Sequence, residues 1–222
     1  MNVATKEQAA ERAERARGSK LSALIYDPAF WVGERAGMAD RRRAIVSQAT
    51  GSTLELGAGT GLNFDYYPTD LDRLVLTEPE TNMADRLRRR VEASGRQAEI
   101  VRAPGELLPF DDNTFDTVVG TLVLCTVEDP SASIAEARRV LKPGGKYLLI
   151  EHVRSDSKRL ARWQDRMNKP WGVLADGCNC NRDTASLIEA GGFDISAVED
   201  DRWRMVPPLV KPLIYGRAVK LA

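Results

Sequence analysis

The sequence predicts an α/β fold: a doubly wound, seven-stranded, mostly parallel sheet with an antiparallel strand at its carboxyl end. Three observations predict it. From about residue 52 onward, short apolar strand-like runs alternate with helical stretches across short turns, the pattern of a parallel sheet with helices on its faces. Phe115 to Cys125 is continuously apolar, as expected of a central strand covered on both sides. The last two strand-like segments, Asp194 to Val198 and Leu213 to Val219, have no full helix between them, and so tight a link forces antiparallel pairing.

Taken in order, residues 5–18 form a charged, alanine-rich helix pattern in which Glu11 and Arg15 are spaced as an i,i+4 pair. Its apolar side is only alanine, so the segment is expected to fray. Leu21 to Trp31 concentrates aromatics outside any strand, either as a cap over a pocket or as a helix docked on the sheet. Glu34 to Thr50 reads as a helix stopped by Gly51, and Ser52 to Leu56 as the first strand. Leu62 to Pro68 begins a crossover helix cut short by Pro68. Leu74 to Glu78 is the second strand, followed by an arginine-rich helix over Met83 to Ala93 that Gly95 ends. Ala98 to Val101 is the third strand, and a loop from Ala103 to Phe110 precedes the fourth. Ser131 to Leu141 is amphipathic, with Ile134, Ala137, Val140 and Leu141 on one side, and Lys142-Pro143-Gly144-Gly145 halts it. Lys146 to Glu151 is the fifth strand, ending at His152. The reading is one domain over 1–222, with a helical cap at 1–45 and a core at 46–222.

Lys plus Arg equals Asp plus Glu at 32 each, so no global field draws the chain to nucleic acid or an anionic membrane. A small-molecule partner is the expectation; the sequence is silent on oligomeric state. The longest apolar run is too short to cross a bilayer, and Glu7, Glu11 and Glu14 count against a mitochondrial leader, so a cytoplasmic location is expected. Three cysteines give no disulfide framework. Cys178-Asn179-Cys180 is too closely spaced for a zinc knuckle, and the only histidine, His152, is distant in sequence, so no metal site is expected.

The chemistry centres on Leu54 to Gly61. A buried strand ends in a carboxylate, Glu55, and runs into Gly57, Ala58, Gly59 and Gly61, a turn that brings main-chain N–H groups to a ligand. A carboxylate there repels a pyrophosphate and favours a cationic ligand. Glu78, seventeen positions after Gly61, ends the second strand where an acidic residue can bind a ribose diol; alternatively it caps the helix after Pro79.

Glu55-Leu56-Gly57-Ala58-Gly59-Thr60-Gly61 with a distal Glu78 resembles the class I methyltransferases that use S-adenosylmethionine and release S-adenosylhomocysteine. Leu108-Pro109-Phe110, Phe115-Asp116-Thr117-Val118-Val119 and Leu141-Lys142-Pro143-Gly144-Gly145 agree in order. A narrower resemblance lies in Ala103-Pro104-Gly105-Glu106, Thr121-Leu122-Val123-Leu124-Cys125, Glu151-His152-Val153 and Asp176-Gly177-Cys178-Asn179. These are similar to the methyltransferase-like family that includes mammalian thiol S-methyltransferases, from which the chain departs at Cys180 and Asn181.

The resemblance implies a Rossmann-like fold and a set of roles. Gly57, Gly59 and Gly61 admit the methionine tail with Glu55 near its ammonium, and Glu78 accepts the ribose hydroxyls. Pro79 and Met83 flank the adenine, Gly105 and Glu106 meet its edge, and Thr121 and Leu122 line the mouth of the methyl donor. An acceptor enters beneath Tyr26, Phe30 and Trp31, with Asp176 and Asn179 along its pocket or in a plain turn. His152 is a base, an orienting group or a capping histidine; Cys125 is core or pocket. The implied reaction is methyl transfer to a small thiol. The alternatives are an oxygen or nitrogen of a quinone, phenol or lipid headgroup, or a silent cofactor-binding protein that meets partners through Met205 to Leu213.

Overall fold

The computed structural model describes residues 33–221, together with 7–9, 11 and 13 of the amino-terminal segment. Seven strands form one sheet: β1 (Ser52–Leu56), β2 (Arg73–Thr77), β3 (Glu99–Val101), β4 (Phe115–Thr121), β5 (Leu141–His152), β6 (Phe193–Arg202) and β7 (Pro212–Lys220). Their spatial order is β3-β2-β1-β4-β5-β7-β6. The first five are mutually parallel, whereas β7 runs antiparallel to both β5 and β6. This is the predicted doubly wound sheet. The order reverses direction between β1 and β4, the switch point at whose carboxyl ends doubly wound sheets take ligands in a crevice.

Helices cover both faces. α1 (Ala39–Val46) and α2 (Thr81–Ser94) put Ile45, Val46, Leu87 and Val91 against Leu76, Val119, Leu148 and Ile150. On the other face, α3 (Pro130–Val140) and α5 (Thr184–Ala190) put Ile134, Ala137, Val140 and Ile188 against Leu54, Val118 and Leu149. Burial on both faces explains why these parallel strands read as apolar runs rather than alternating ones. α4 (Lys158–Leu174) stands apart from these two cores, and its Met167 and Trp171 pack on a third, small cluster of Cys180, Leu209 and Val210.

Local signals set most boundaries. Asp129 caps α3 through the Ser131 and Ala132 N–H groups, with Pro130 in its first turn, and Gly95 ends α2 in the left-handed conformation. Four expectations need correction. Leu62 to Pro68 holds only a 3₁₀ turn, Phe64–Tyr66, because Arg96 just beyond α2 takes the carbonyls of Phe64, Tyr67 and Pro68. β4 stops at Thr121, since Leu122 turns out of the sheet with φ at +56°. Of the Met205 to Leu213 segment, Leu209, Val210 and Leu213 turn into the protein, so only part of it, Met205, Pro207 and Pro208, stands exposed. At the amino terminus, residues 7–9, 11 and 13 are helical, with Ala9 and Ala13 buried and the Ala13 carbonyl accepting from Arg102 Nη2 at 2.8 Å, which is docking rather than fraying. No helix among the described residues is long and apolar enough to cross a membrane.

Candidate active site

The carboxyl ends of β1, β2, β4 and β5 meet at the crevice, and two constellations stand there. The first begins where β1 runs into Gly57-Ala58-Gly59-Thr60-Gly61. All three glycines have positive φ, but their surroundings differ. A Cβ on Gly57 would lie 2.5 Å from Val123 Cγ2 and one on Gly61 2.7 Å from Leu87 Cδ1, whereas one on Gly59 meets nothing within 4 Å. Gly57 and Gly61 serve packing. Of the three, only Gly59 has open space where a side chain would stand.

Glu78 sits directly against that opening. Its Oε2 accepts from the Gly59 N–H and its Oε1 from the Glu80 N–H, both at 2.8 Å. The capping alternative falls, because the N-cap of α2 is Glu80, which accepts from Asn82 N at 3.0 Å and Met83 N at 2.7 Å. Each Glu78 oxygen retains capacity for one more donor. Burial pushes Glu78 up to about 7, against the pull of its two N–H partners and Arg102 and with a push from Glu80.

Glu55 lies deeper. It is 2% exposed and accepts from Asn63 Nδ2 and the Tyr67 hydroxyl, each at 2.7 Å. Arg42 Nη1 in turn donates to Asn63 Oδ1 (2.7 Å) and Thr121 Oγ1 (2.8 Å), and the Arg42 guanidinium pairs with Glu34. Burial raises the Glu55 pKa, opposed by Tyr67, Asn63 and Arg42. Glu55 thus anchors a buried network that reaches the end of β4 through Asn63, whose Nδ2 also donates to Thr121 Oγ1 at 2.9 Å. Arg42 and Asn63 were not singled out from the sequence, because nothing in Arg41-Arg42-Arg43 marks which arginine turns inward.

The second constellation was not legible at all. Cys125 lies in the turn after β4, His152 at the tip of β5 and Cys178 in the loop after α4, and all three are buried. His152 Nε2 is 3.1 Å from Cys178 Sγ, and Trp171 Nε1 donates to the same sulfur at 3.3 Å. The donor atoms of Cys125, His152 and Cys178 lie within 4.8 Å of one another. The single Cys125 S–H serves either Cys178 or the Leu122 carbonyl at 3.4 Å. A hydrogen bond from Cys125, joined by the bond and charge of His152, outweighs burial and holds the Cys178 thiol far below its ordinary range; Cys125 is correspondingly pushed up. His152 Nδ1 is buried with no protein partner. The fold therefore overturns the expectation that sequence distance keeps His152 away from the cysteines.

A model of the methyltransferase domain matches residues 54–149. Human thiol S-methyltransferase TMT1B is 36% identical over 200 residues, covering 82% of this chain and 80% of that protein. The chain belongs to the S-adenosylmethionine-dependent methyltransferases. A phosphatidylethanolamine N-methyltransferase from Cereibacter sphaeroides is 33% identical over 143 residues, covering 62% of the chain and 68% of that relative. Among solved structures, a SAM-dependent methyltransferase from Thermotoga maritima superposes with a TM-score of 0.66 at 20% identity, covering 89% of this chain and 95% of that one.

The remaining predicted positions fall unevenly in the methyltransferase. The Pro79 carbonyl accepts from Arg102 Nε at 2.9 Å, and Met83 is buried in the first turn of α2. Ala58 donates to the Thr77 carbonyl at 2.8 Å, fastening the turn to β2. A Cβ on Gly105 would press on Ser133 Oγ at 3.2 Å. Glu106 Oε1 accepts from the N–H groups of Glu128 (2.8 Å) and Asp129 (3.2 Å), tying its loop to the start of α3. Asn179 clamps the Cys178 loop, its N–H and Nδ2 both donating to the Cys125 carbonyl at 2.8 and 3.2 Å, while Asp176 is exposed in a turn. Tyr26, Phe30 and Trp31 lie outside the described residues.

Proposed function

We propose that this methyltransferase moves the methyl group of S-adenosylmethionine to a small-molecule thiol. The thiol loses its proton, a sulfur–carbon bond forms as the sulfonium–methyl bond breaks, and a methyl thioether and S-adenosylhomocysteine leave. The observation that carries the reading is His152: its Nε2 is engaged by Cys178 and its Nδ1 is buried and unpartnered. A buried nitrogen left without a partner costs about 1–3 kcal/mol, a cost retained where a ligand supplies the missing bond. With Nε2–H donating to Cys178, Nδ1 carries a lone pair free to receive an acceptor's S–H. The similarity to human thiol S-methyltransferase TMT1B supports the same acceptor class.

The bound cofactor supplies a methyl group on a sulfonium. The chain's own residues do the rest. The Gly59 N–H region admits the methionine tail, and Glu55, acting through Asn63 and Thr121, favours its ammonium. Glu78 accepts the two ribose hydroxyls on its free lone pairs. Leu122, in the left-handed region at the end of β4, holds the turn that separates the two constellations. Most of the rate comes from holding nucleophile and methyl in line.

The test uses purified full-length chain with labelled cofactor and matched alkyl and aryl thiols, alcohols, phenols and amines, read by product mass. Thiols are expected to react at least about tenfold faster than their oxygen and nitrogen counterparts, and His152→Ala to lower thiol turnover by about 100-fold or more. Methylation confined to oxygen or nitrogen would overturn the thiol assignment. The similarity to the Cereibacter phosphatidylethanolamine N-methyltransferase makes an amine headgroup the second reading.

A further inference from the structure

We propose that Cys125 Sγ, His152 Nε2 and Cys178 Sγ form a binding site for one thiophilic divalent cation of the zinc class. Two sulfurs and one imidazole nitrogen are the donor set such ions prefer. The three arrive from different elements, are buried, and already converge with donor atoms within 4.8 Å. With metal–sulfur and metal–nitrogen bonds near 2.3 and 2.0–2.1 Å, the edges of a tetrahedral site are about 3.5 Å for N···S and about 3.8 Å for S···S. The observed His152–Cys178 separation of 3.1 Å therefore needs to widen by only a few tenths of an ångström.

The surrounding bonds hold the cradle in place without an ion. Asn179 fastens the Cys178 loop to the Cys125 carbonyl, Glu151 Oε1 accepts from the Val123 and Leu124 N–H groups at 2.9 and 3.0 Å, and β5 fixes His152. Among the described residues no fourth His, Cys, Asp or Glu joins the group. Three protein donors with the fourth position left over is the arrangement of an ion that takes an exchangeable ligand, and a thiolate is the ligand class it holds well. In the loaded protein Nε2 is on the ion and Nδ1 keeps its proton, so activation of an acceptor thiol passes from the imidazole to the ion, with the thiol proton released to solvent. This last step rests on the thiol reading; the cation site does not.

Reduced, chelator-stripped full-length protein titrated with Co²⁺ tests it. The expected result is one Co²⁺ retained per chain after desalting, with a thiolate-to-cobalt band in the near ultraviolet and strong tetrahedral bands in the visible, both removed by Zn²⁺. Cys125→Ser, His152→Ala and Cys178→Ser should each weaken retention by about 100-fold or more, while Cys180→Ser leaves it unchanged. A small thiol should shift the visible bands. Wild-type protein that retains no Co²⁺ overturns the proposal whatever the variants do, as does equal retention by the Cys125→Ser/Cys178→Ser double variant. Bands unmoved by thiol overturn the open fourth position. Calorimetry with S-adenosylhomocysteine on each sample reports folding and keeps failure here distinct from failure of the methyltransferase reading.

Discussion

The two halves of the crevice are built in opposite ways. On the β1–β2 side, a contiguous turn and two carboxylates are held by hydrogen bonds to every carboxylate oxygen: Glu78 with Gly59 and Glu80, Glu55 with Asn63 and Tyr67. On the β4–β5 side, residues far apart in sequence converge and leave polar atoms unpaired, His152 Nδ1 and Glu151 Oε2. The first half is preorganised by its own bonds, which suits the nucleoside proposed for it. The second half is held in place by the bonds around it yet leaves these two atoms unsatisfied. Under the proposed function, cofactor binding is thus separated from the choice of acceptor, with Leu122 and Val123 as the seam between them.

The strongest way to break that comparison is to remove what joins the halves. Arg42 links Glu34, Asn63 and the Thr121 hydroxyl beneath both. Arg42→Met should cost about 3–5 kcal/mol of stability in urea unfolding, because Glu34 and Glu55 lose a buried counter-charge. A loss under about 1 kcal/mol would show that the network is idle.

Next in size is Glu78→Ala, which sharpens the division. Two hydrogen bonds to a carboxylate are worth about 3 kcal/mol together, so the Kd for S-adenosylhomocysteine should rise about 100-fold or more by calorimetry. The rate at which an alkylating reagent modifies Cys178 should stay at its wild-type value. A parallel change in that rate would mean the halves are coupled.

How much of this was legible follows the same line. The sheet, the glycine turn and Glu78 could be read because each signal is local: apolar runs, a glycine spacing, a carboxylate at a strand tip. Glu55 was found but its partners were not, since Asn63 and Tyr67 sit in a segment that reads as helix and folds as a turn around Arg96. Cys125 was assigned to a strand because Val123 and Leu124 continue the apolar run, and only the positive φ at Leu122, invisible in a leucine, ends it. The Cys125–His152–Cys178 group depends on three chain crossings, and no spacing rule encodes that.

A milder variant probes the second half alone. Asn179→Ala removes the side-chain clamp on the Cys125 carbonyl and the bond to Asn168 at 3.0 Å. Displacing the Cys178 loop should lower kcat/KM for the acceptor about tenfold, with cofactor Kd unchanged. Weakened cofactor binding in this variant would place the clamp on the wrong side of the seam.

The smallest effect is the dependence of cofactor binding on pH, and it belongs to the first half. Glu78 is held at about 7 chiefly by burial, with Glu80 and Arg102 as its charged neighbours. Protonated, it cannot accept from both ribose hydroxyls, so binding S-adenosylhomocysteine expels the proton. Affinity should fall below pH 7 by up to about tenfold per unit. The empty protein behaves oppositely. A carboxyl whose folded value lies above its unfolded value of 4.5 contributes stability that is present below 4.5 and lost as pH rises through about 7. Glu151 is also raised to about 7 and contributes in the same direction, so the Glu78 share is isolated as wild type minus Glu78→Gln. In that difference, thermal stability without ligand should decline from pH 5 to 7.5 while cofactor affinity climbs. If the difference is flat in both, Glu78 carries no titrating charge into the crevice, and its place against Gly59 is structural alone.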